Sequence, residues 1–532
     1  MAGSSVQTLD ISPVGRVEGD LDVHVDIQDG RVINAWTQAE LFRGFDVILR
    51  DKDPQAGLVV TPRACGICGA SHLTCAAWAL DTAWKTTVPR NAILARNLGQ
   101  IVETLQSQPQ HHYGLFMIDY TNKNYRKSKF YEEAVRRWAP FVGTNYEVGI
   151  GMSGRPVEIY ALLGGQWPHS SYMVPGGVMC APTLTDVTRA WGILEHFRRN
   201  WLEPMWLGTS LERYERIQSY ADFLAWLDEK PEHANSDLGM FWRMSVDIGL
   251  DKYGGGHARY LSWGYLPHED RYQEPTIDGR NAAVIMKSGV FDAQTDAHEL
   301  VDQAHREDMC HAWYDEPNVT HPFDRATVPI QNSAIDFRGK YSWSTAVLHD
   351  HDVRLEAGPL VRQLVAGGTH GEAWQHHDPL VLDMYKQLGG ASVMLRHFAR
   401  MHEAVKLYRE AERILRELKL DDPWYIKPTE TDGQGWGATE AVRGALGHWI
   451  EVQGGKIKNY QIVVPTTWNV GPRNATGVRG PMEQALIGTP VADPADPVEV
   501  GHVCRSYDAC LVCTVHAYDA RTGKQLTTFR TA

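Results

Sequence analysis

Residues 63–72 read RACGICGASH, and residues 508–516 read DACLVCTVH. Each stretch holds a Cys-x-x-Cys pair followed by a histidine, and nearly the whole chain separates them. Two residues between cysteines let both sulfurs reach one ion from a single tight turn, and a thiolate is a soft, strongly donating ligand. Gly66 and Gly69 are expected to relieve backbone crowding in the first turn. The sulfurs are those of Cys65, Cys68, Cys510 and Cys513. If they meet, the two ends of the chain must fold against each other. No linker with a composition shift lies between the pairs, so the expectation is one intertwined domain.

The chain has 532 residues, 43% of them hydrophobic, which is ample for a large core. Its net charge of −13 argues against nonspecific nucleic-acid binding. No segment reaches the ~18 uninterrupted apolar residues of a membrane span. The N-terminus lacks a basic region followed by an apolar run, so no secretory signal is read. The expectation is a cytoplasmic protein with no direct membrane span, whose membrane contact, if any, comes through partners. A disulfide framework is not expected. Cys75, Cys180, Cys310 and Cys504 stand alone and are expected to be buried small hydrophobes.

Alternation in DLDVHVDIQDGRVINAW, with Asp29-Gly30 as the turn, predicts an N-terminal β-hairpin. Past residue 68 the texture is helical. A helix is expected over 181–205, opened by Thr185-Asp186 and ended near Pro204. The clearest helix is 391–418, where Val393, Leu395, Phe398, Met401, Val405, Tyr408, Ile414, Leu415 and Leu418 recur at helical spacing as a core stripe. Residues 419–440 and 464–482, rich in Pro, Gly, Asn and Thr, read as loops. The fold class is mainly α with small β elements (α+β).

Local chemistry leaves three readings of the thiols: a redox or catalytic metal, a structural zinc, or unrelated cysteines. Structural zinc usually staples a unit too small for its own core, and this chain needs no such help. The histidines His72 and His516, and the charged residues Arg63 and Asp508 two positions before each pair, also weigh toward a working metal.

Together these residues resemble the large subunit of nickel-iron hydrogenases. The family pattern is Arg-x-Cys-Gly-x-Cys-x-x-x-His near one end and Asp-Pro-Cys-x-x-Cys-x-x-His near the other. RVEGD (16–20), FRGFDVILRDKDP (42–54), GKYSWS (339–344), EAGPL (356–360) and VVPTTWNVGPRNATGVRGPMEQALIGTPV (463–491) are similar to family segments in family order. "TVHAYDARTGK" most resembles the uptake group of cyanobacteria and aerobic soil bacteria, which scavenge hydrogen.

The resemblance implies a helical-bundle core and an enzyme that cleaves H2 reversibly to protons and electrons at a Ni-Fe(CO)(CN)2 centre. Cys65 and Cys510 would bind nickel terminally; Cys68 and Cys513 would bridge it to iron. Arg473 matches the family arginine over the metals, Glu18 the proton-relay carboxylate. His72 would hydrogen-bond a bridging sulfur, while Pro465, Thr466 and Thr489 would line the diatomic ligands. Pro472 and Asp508 are grouped with these cofactor-binding residues. A second site, for Mg2+ or another divalent cation, would use Asp46, the carbonyl of Ile462, and His516. A separate small subunit would carry the iron-sulfur clusters in an obligate heterodimer and pass electrons to a quinone or another carrier. A maturation protease would remove the tail 517–532, leaving 1–516 as the domain.

The sequence departs from the family pattern at Ala509, where the motif has proline, and at Ser107, where many relatives have an aspartate beside the arginine. The runner-up is a relative of the quinone-site subunit of respiratory complex I, which generally lacks the four cysteines. A zinc-stapled scaffold is the third reading.

Overall fold

The computed structural model describes residues 5–267, 284–299, 305–330, 339–349, 352–368 and 379–511. Helices dominate, and the described strands form four three-stranded and two two-stranded sheets. The expected α+β class with a helical core holds. The N-terminal hairpin is β2 (Leu21–Gln28) and β3 (Arg31–Ala39), turning at Asp29-Gly30, with β1 (Gln7–Ile11) added antiparallel along β2. Asp29 and Gly30 both take positive φ, which that turn requires.

Two helices follow the first thiol motif, α1 (Gly69–Ala83) and α2 (Arg90–Gln110). After three shorter helices, Tyr131–Trp138, Thr144–Ser153 and Val157–Gly164, comes α3 (Leu184–Phe197), which begins one residue before Thr185. Thr183 is its N-cap: the Thr183 hydroxyl accepts the Asp186 N–H, and Asp186 accepts the Thr183 N–H. Pro204 does not end the helical path; a π-helical stretch, Arg198–Leu207, runs through it.

The long helix α4 (Val393–Glu417) is where the apolar stripe placed it, capped by the Ser392 hydroxyl, which accepts the Leu395 N–H at 3.1 Å. Its burial goes beyond one face. Arg396, Arg400, Glu403 and Glu410 are buried as well. Charges survive there only when paired: Glu403 accepts from Arg362 and from Gln108, and Arg396 donates to Glu356 at 2.7 Å.

The segments read as loops contain structure. β4 (Gly433–Ala441), β5 (Gly444–Gln453) and β6 (Lys456–Val463) form an antiparallel meander. Gly433, Gly435 and Gly437 alternate along β4, so they share one face. A Cβ at these three would collide with backbone atoms of α1 around Ala83, Ala79 and Cys75. The glycines mark close helix-on-strand packing, not a loop, and they press the helix that follows Cys68 onto the sheet. After β6 come α5 (Pro465–Val470) and α6 (Pro481–Leu486), then α7 (Val498–Ser506), which leads to the second thiol motif.

Of the four isolated cysteines, Cys75 and Cys504 are buried as expected. Cys180 is exposed and Cys310 half-buried, because both lie in irregular segments at the margin of the core.

Candidate metal centre

The chain ends meet through backbone hydrogen bonds. Glu18 pairs with Cys510 in a parallel bridge: the Glu18 N–H donates to the Ala509 carbonyl at 3.3 Å, and the Leu511 N–H donates to the Glu18 carbonyl at 2.6 Å. The sulfurs of Cys65, Cys68 and Cys510 all lie within 4.8 Å of one another and are buried. Cys65 and Cys510 Sγ are 3.6 Å apart, far beyond the ~2.05 Å of a disulfide, so they face each other as thiols. Cys513, His516 and the tail 517–532 lie outside the described residues.

Local structure explains each placement. Cys65 ends a 3-10 turn, Thr61–Ala64, and Cys68 caps α1. The Ile67 N–H points at Cys65 Sγ at 3.3 Å. A Cβ on Gly69 would press on the Pro62 carbonyl at 3.0 Å, so glycine is needed there; one on Gly66 would meet open space, contrary to the crowding expected of it. Glu103 of α2 closes the start of α1, accepting the Ala70 N–H at 2.6 Å and the Ser71 N–H at 3.2 Å. On the other side, the Cys510 N–H donates to the Thr466 hydroxyl at 2.9 Å.

Cys68, His72, Arg443, Val464, Pro465, Thr466 and Cys510 line the cavity beside the sulfurs. Glu18 Oε2 is 3.5 Å from Cys65 Sγ and 3.6 Å from Cys510 Sγ. Burial, then the Cys65 thiol, pushes the Glu18 carboxyl up to about 7. Burial pushes His72 down to about 4, so its ring is neutral; His72 Nδ1 lies 3.1 Å from His448 Nε2, and His448 Nδ1 lies 2.8 Å from the Tyr460 hydroxyl.

The arginine beside the thiols is Arg443, in the two-residue turn between β4 and β5, and sequence reasoning missed it. Burial opposes its charge. Asp508, 3.2 Å from Arg443 Nε, and the thiols of Cys510, Cys65 and Cys68 outweigh that and hold the guanidinium well above its ordinary value. Arg473 is elsewhere. It donates to Asn34 at 2.5 Å and to the Ala35 carbonyl at 3.0 Å, and lies over the Trp36 ring at 4.8 Å. The Pro472 carbonyl accepts from Arg354, and the Thr489 carbonyl accepts from Val32 on β3. Ser107 is buried in α2, and Asp508 is the carboxylate that faces Arg443. The signal for Arg443 was a charge inside an apolar, glycine-flanked run, AVRGAL; such a residue at a buried turn needs a partner.

The sequence profile of the nickel-dependent hydrogenases matches residues 43–129 and 144–516. This chain belongs to that family. It is 30% identical to the periplasmic [NiFeSe] hydrogenase large subunit of Desulfomicrobium baculatum, over 97% of this chain and 96% of that one. It is 28% identical to the uptake hydrogenase large subunit of Bradyrhizobium diazoefficiens, over 95% and 94% of the two chains. The solved Dm. baculatum [NiFeSe]-hydrogenase superposes with a TM-score of 0.80 at 28% identity, covering 96% of this chain and 100% of that one. The chain is therefore a large subunit of a nickel-dependent hydrogenase. The donors fit the metal that the family name requires. Three buried, soft sulfurs converge without forming a disulfide, and one fixed cation offsets their charge.

A second chamber of the hydrogenase fold shares a wall with the first. Asp46, Glu307, Arg325, Thr345, Ile462, Val464 and Thr467 are among the residues lining a cavity of about 40 Å³. Burial pushes the Asp46 carboxyl up to about 7, against the pull of Arg325. Glu307 Oε1 accepts from Arg325 at 3.0 Å, and its Oε2 is buried without a partner. Among the described residues no helix is long and apolar enough to cross a membrane.

Proposed function

We propose that this chain is the catalytic subunit of a hydrogen-uptake enzyme: it cleaves dihydrogen heterolytically to two protons and two electrons and passes the electrons to an iron-sulfur small subunit. The convergence of Cys65, Cys68 and Cys510 beside Glu18 and Arg443 carries this reading. Cys65, Cys68 and Cys510, with Cys513, would hold a Ni-Fe(CO)(CN)2 centre. When bound, that centre supplies the Lewis acidity that polarises an otherwise weakly acidic substrate.

The side chains around it divide the remaining work. Glu18 bridges the two thiols that come from opposite chain ends, and its carboxyl is poised near neutrality to take and release a proton. Arg443, paired with Asp508, presents a fixed cation to the sulfurs and is the arginine placed to act on substrate. His72, kept neutral, holds the sulfur side through the His448–Tyr460 chain. Arg63 and Gly66 are exposed, so the first thiol turn lies against the surface where electrons can leave to the small subunit. From there they would pass to a quinone or another carrier, on the cytoplasmic side.

Asp46, the Ile462 carbonyl and His516, joined by Glu307, would hold Mg2+, since a hard cation takes oxygen donors and Glu307 Oε2 has no protein partner. The family profile ends at residue 516, which supports reading 1–516 as the domain and 517–532 as the tail that a maturation protease removes.

The test is the purified heterodimer assayed for nickel, for infrared bands of bound CO and cyanide, and for hydrogen-dependent dye reduction. About one nickel per chain with those bands is the expected result. Zinc alone would leave the scaffold reading standing.

A further inference from the structure

The segment that follows Pro109 bears on Asp508 although neither thiol motif contains it. Proline has no N–H to donate within α2, and one residue later six residues, His111–Phe116, widen into a π-helical turn. That turn carries His111 into the interior beside α7. His111 Nε2 lies 2.8 Å from the Arg505 carbonyl, which can only accept, so Nε2 bears the proton. The same carbonyl accepts the Asp508 N–H at 3.0 Å. Asp508 itself sits at φ 54°, a left-handed conformation that a residue with a Cβ keeps only when its surroundings hold it. Its carboxylate then faces Arg443 Nε at 3.2 Å, Arg400 Nε at 3.9 Å and His111 Nε2 at 3.9 Å.

We propose that His111 is a positioning residue: by donating to the Arg505 carbonyl it fixes the turn that aims Asp508, and through Asp508 it holds the Arg443 guanidinium at the thiol pocket. The ring cannot swing away. His397 packs against it with ring centroids 5.4 Å apart and is itself stacked on Phe116 at 3.9 Å. Neutrality suits the role, since a third positive charge there, beside Arg443 and Arg400, would compete with Arg443 for Asp508. Burial first, and then Arg400, keep the His111 ring well below its ordinary value.

This inference rests on the reading of Arg443 as the arginine that serves the reaction, and the experiment separates the two. In the mature heterodimer, His111→Leu removes the donor, His111→Gln restores an N–H near the Nε2 position, and His111→Asn places it short. The expected result is a loss of about tenfold or more in kcat for the Leu and Asn variants, with KM for hydrogen and nickel content unchanged. His111→Gln recovers most of the rate, and the infrared bands of bound CO and cyanide shift in Leu and Asn but not in Gln. If the Leu variant fails to accumulate, the Gln and Asn pair still decides. Equal rates in Gln and Asn overturn the proposal, as does a wild-type rate in Leu. A harmless Arg443→Lys would instead overturn the underlying reading of Arg443.

Discussion

Two chambers lie back to back across the end of β6, and they differ in almost every chemical respect. Val464 lines both. On one side stand three thiols, a neutral histidine and a proline; on the other stand Asp46, Glu307 and a carbonyl-bearing strand end. One wall thus separates soft donors from hard ones. Neither chamber is left without a positive charge: Arg443 serves the thiols and Arg325 the carboxylates. On the proposed reading, soft sulfurs would hold the nickel-iron centre and oxygen donors a hard cation, and the partition would keep each donor set from completing the other.

The largest effect should come from breaking the soft chamber. Cys65→Ser or Cys510→Ser replaces a thiolate with a poor hydroxyl donor at the point where the chain ends meet. Nickel measured per purified heterodimer should fall to near zero and hydrogen-dependent dye reduction with it. Normal nickel content in either variant would break the comparison at its root.

Next in size is the arginine. Arg443→Lys keeps the charge but shortens the planar fork that faces Asp508 and the sulfurs. We expect kcat to fall by about a hundredfold or more, with nickel retained, in keeping with the loss of one preorganised group at a reacting centre. Arg473→Lys, at the Asn34–Trp36 corner, should leave the rate within about twofold. Parallel turnover measurements decide between them, and the reverse ranking would return the role to Arg473.

The placement of these two arginines shows what the sequence could and could not reveal. Each comes shortly after a single valine and near a glycine, and nothing in one dimension says which loop turns inward. Cys65, Cys68 and Cys510 were legible because ligand spacing is local and because their meeting needs only that the chain ends pair; Glu18 came only with the family resemblance, since a glutamate before glycine otherwise reads as solvated surface. The long helix α4 was legible from its apolar period, though not the charges it buries, since Arg362, which pairs with Glu403, and Glu440, which faces Arg362 in turn, come from distant segments. The β4–β6 meander was missed for a physical reason. Its alternating glycines looked like loop punctuation, and only the helix packed on them shows that they make room for backbone. Glu307, Arg400 and His111 were invisible because they act through partners far along the chain.

The cation affinity of the hard chamber should respond to pH through Asp46. In the cation-free protein the Asp46 carboxyl is pushed to about 7 from an ordinary 3.8. Between those two values the folded chain holds a proton there that the unfolded chain has released. The cation-free fold therefore loses stability as pH rises through that window, and a bound cation reverses the loss by replacing the proton. Affinity for Mg2+ should weaken by up to about tenfold for each pH unit below about 7. Asp46→Asn should abolish that slope, and Glu307→Gln should lower the affinity while leaving the slope. Titration of the EDTA-treated enzyme with Mg2+, followed by thermal unfolding, reads both; a flat pH dependence in the wild type would remove Asp46 from the site.

The smallest effect separates two neighbouring threonines at the start of α5. Thr466 turns toward the thiols and accepts the Cys510 N–H at 2.9 Å; Thr467 turns toward the Asp46 chamber. Thr466→Val keeps the shape and removes the acceptor, leaving a buried N–H unsatisfied at a cost of about 1–3 kcal/mol. That loss falls on the junction of the chain ends, so thermal unfolding should come earlier and nickel loading should slow, with the Mg2+ titration unchanged. Thr467→Val should do the opposite, shifting the Mg2+ titration slightly while nickel loading proceeds at the wild-type rate. If both variants disturb both metals alike, the shared wall transmits strain rather than partitioning chemistry, and the two chambers must be treated as one site.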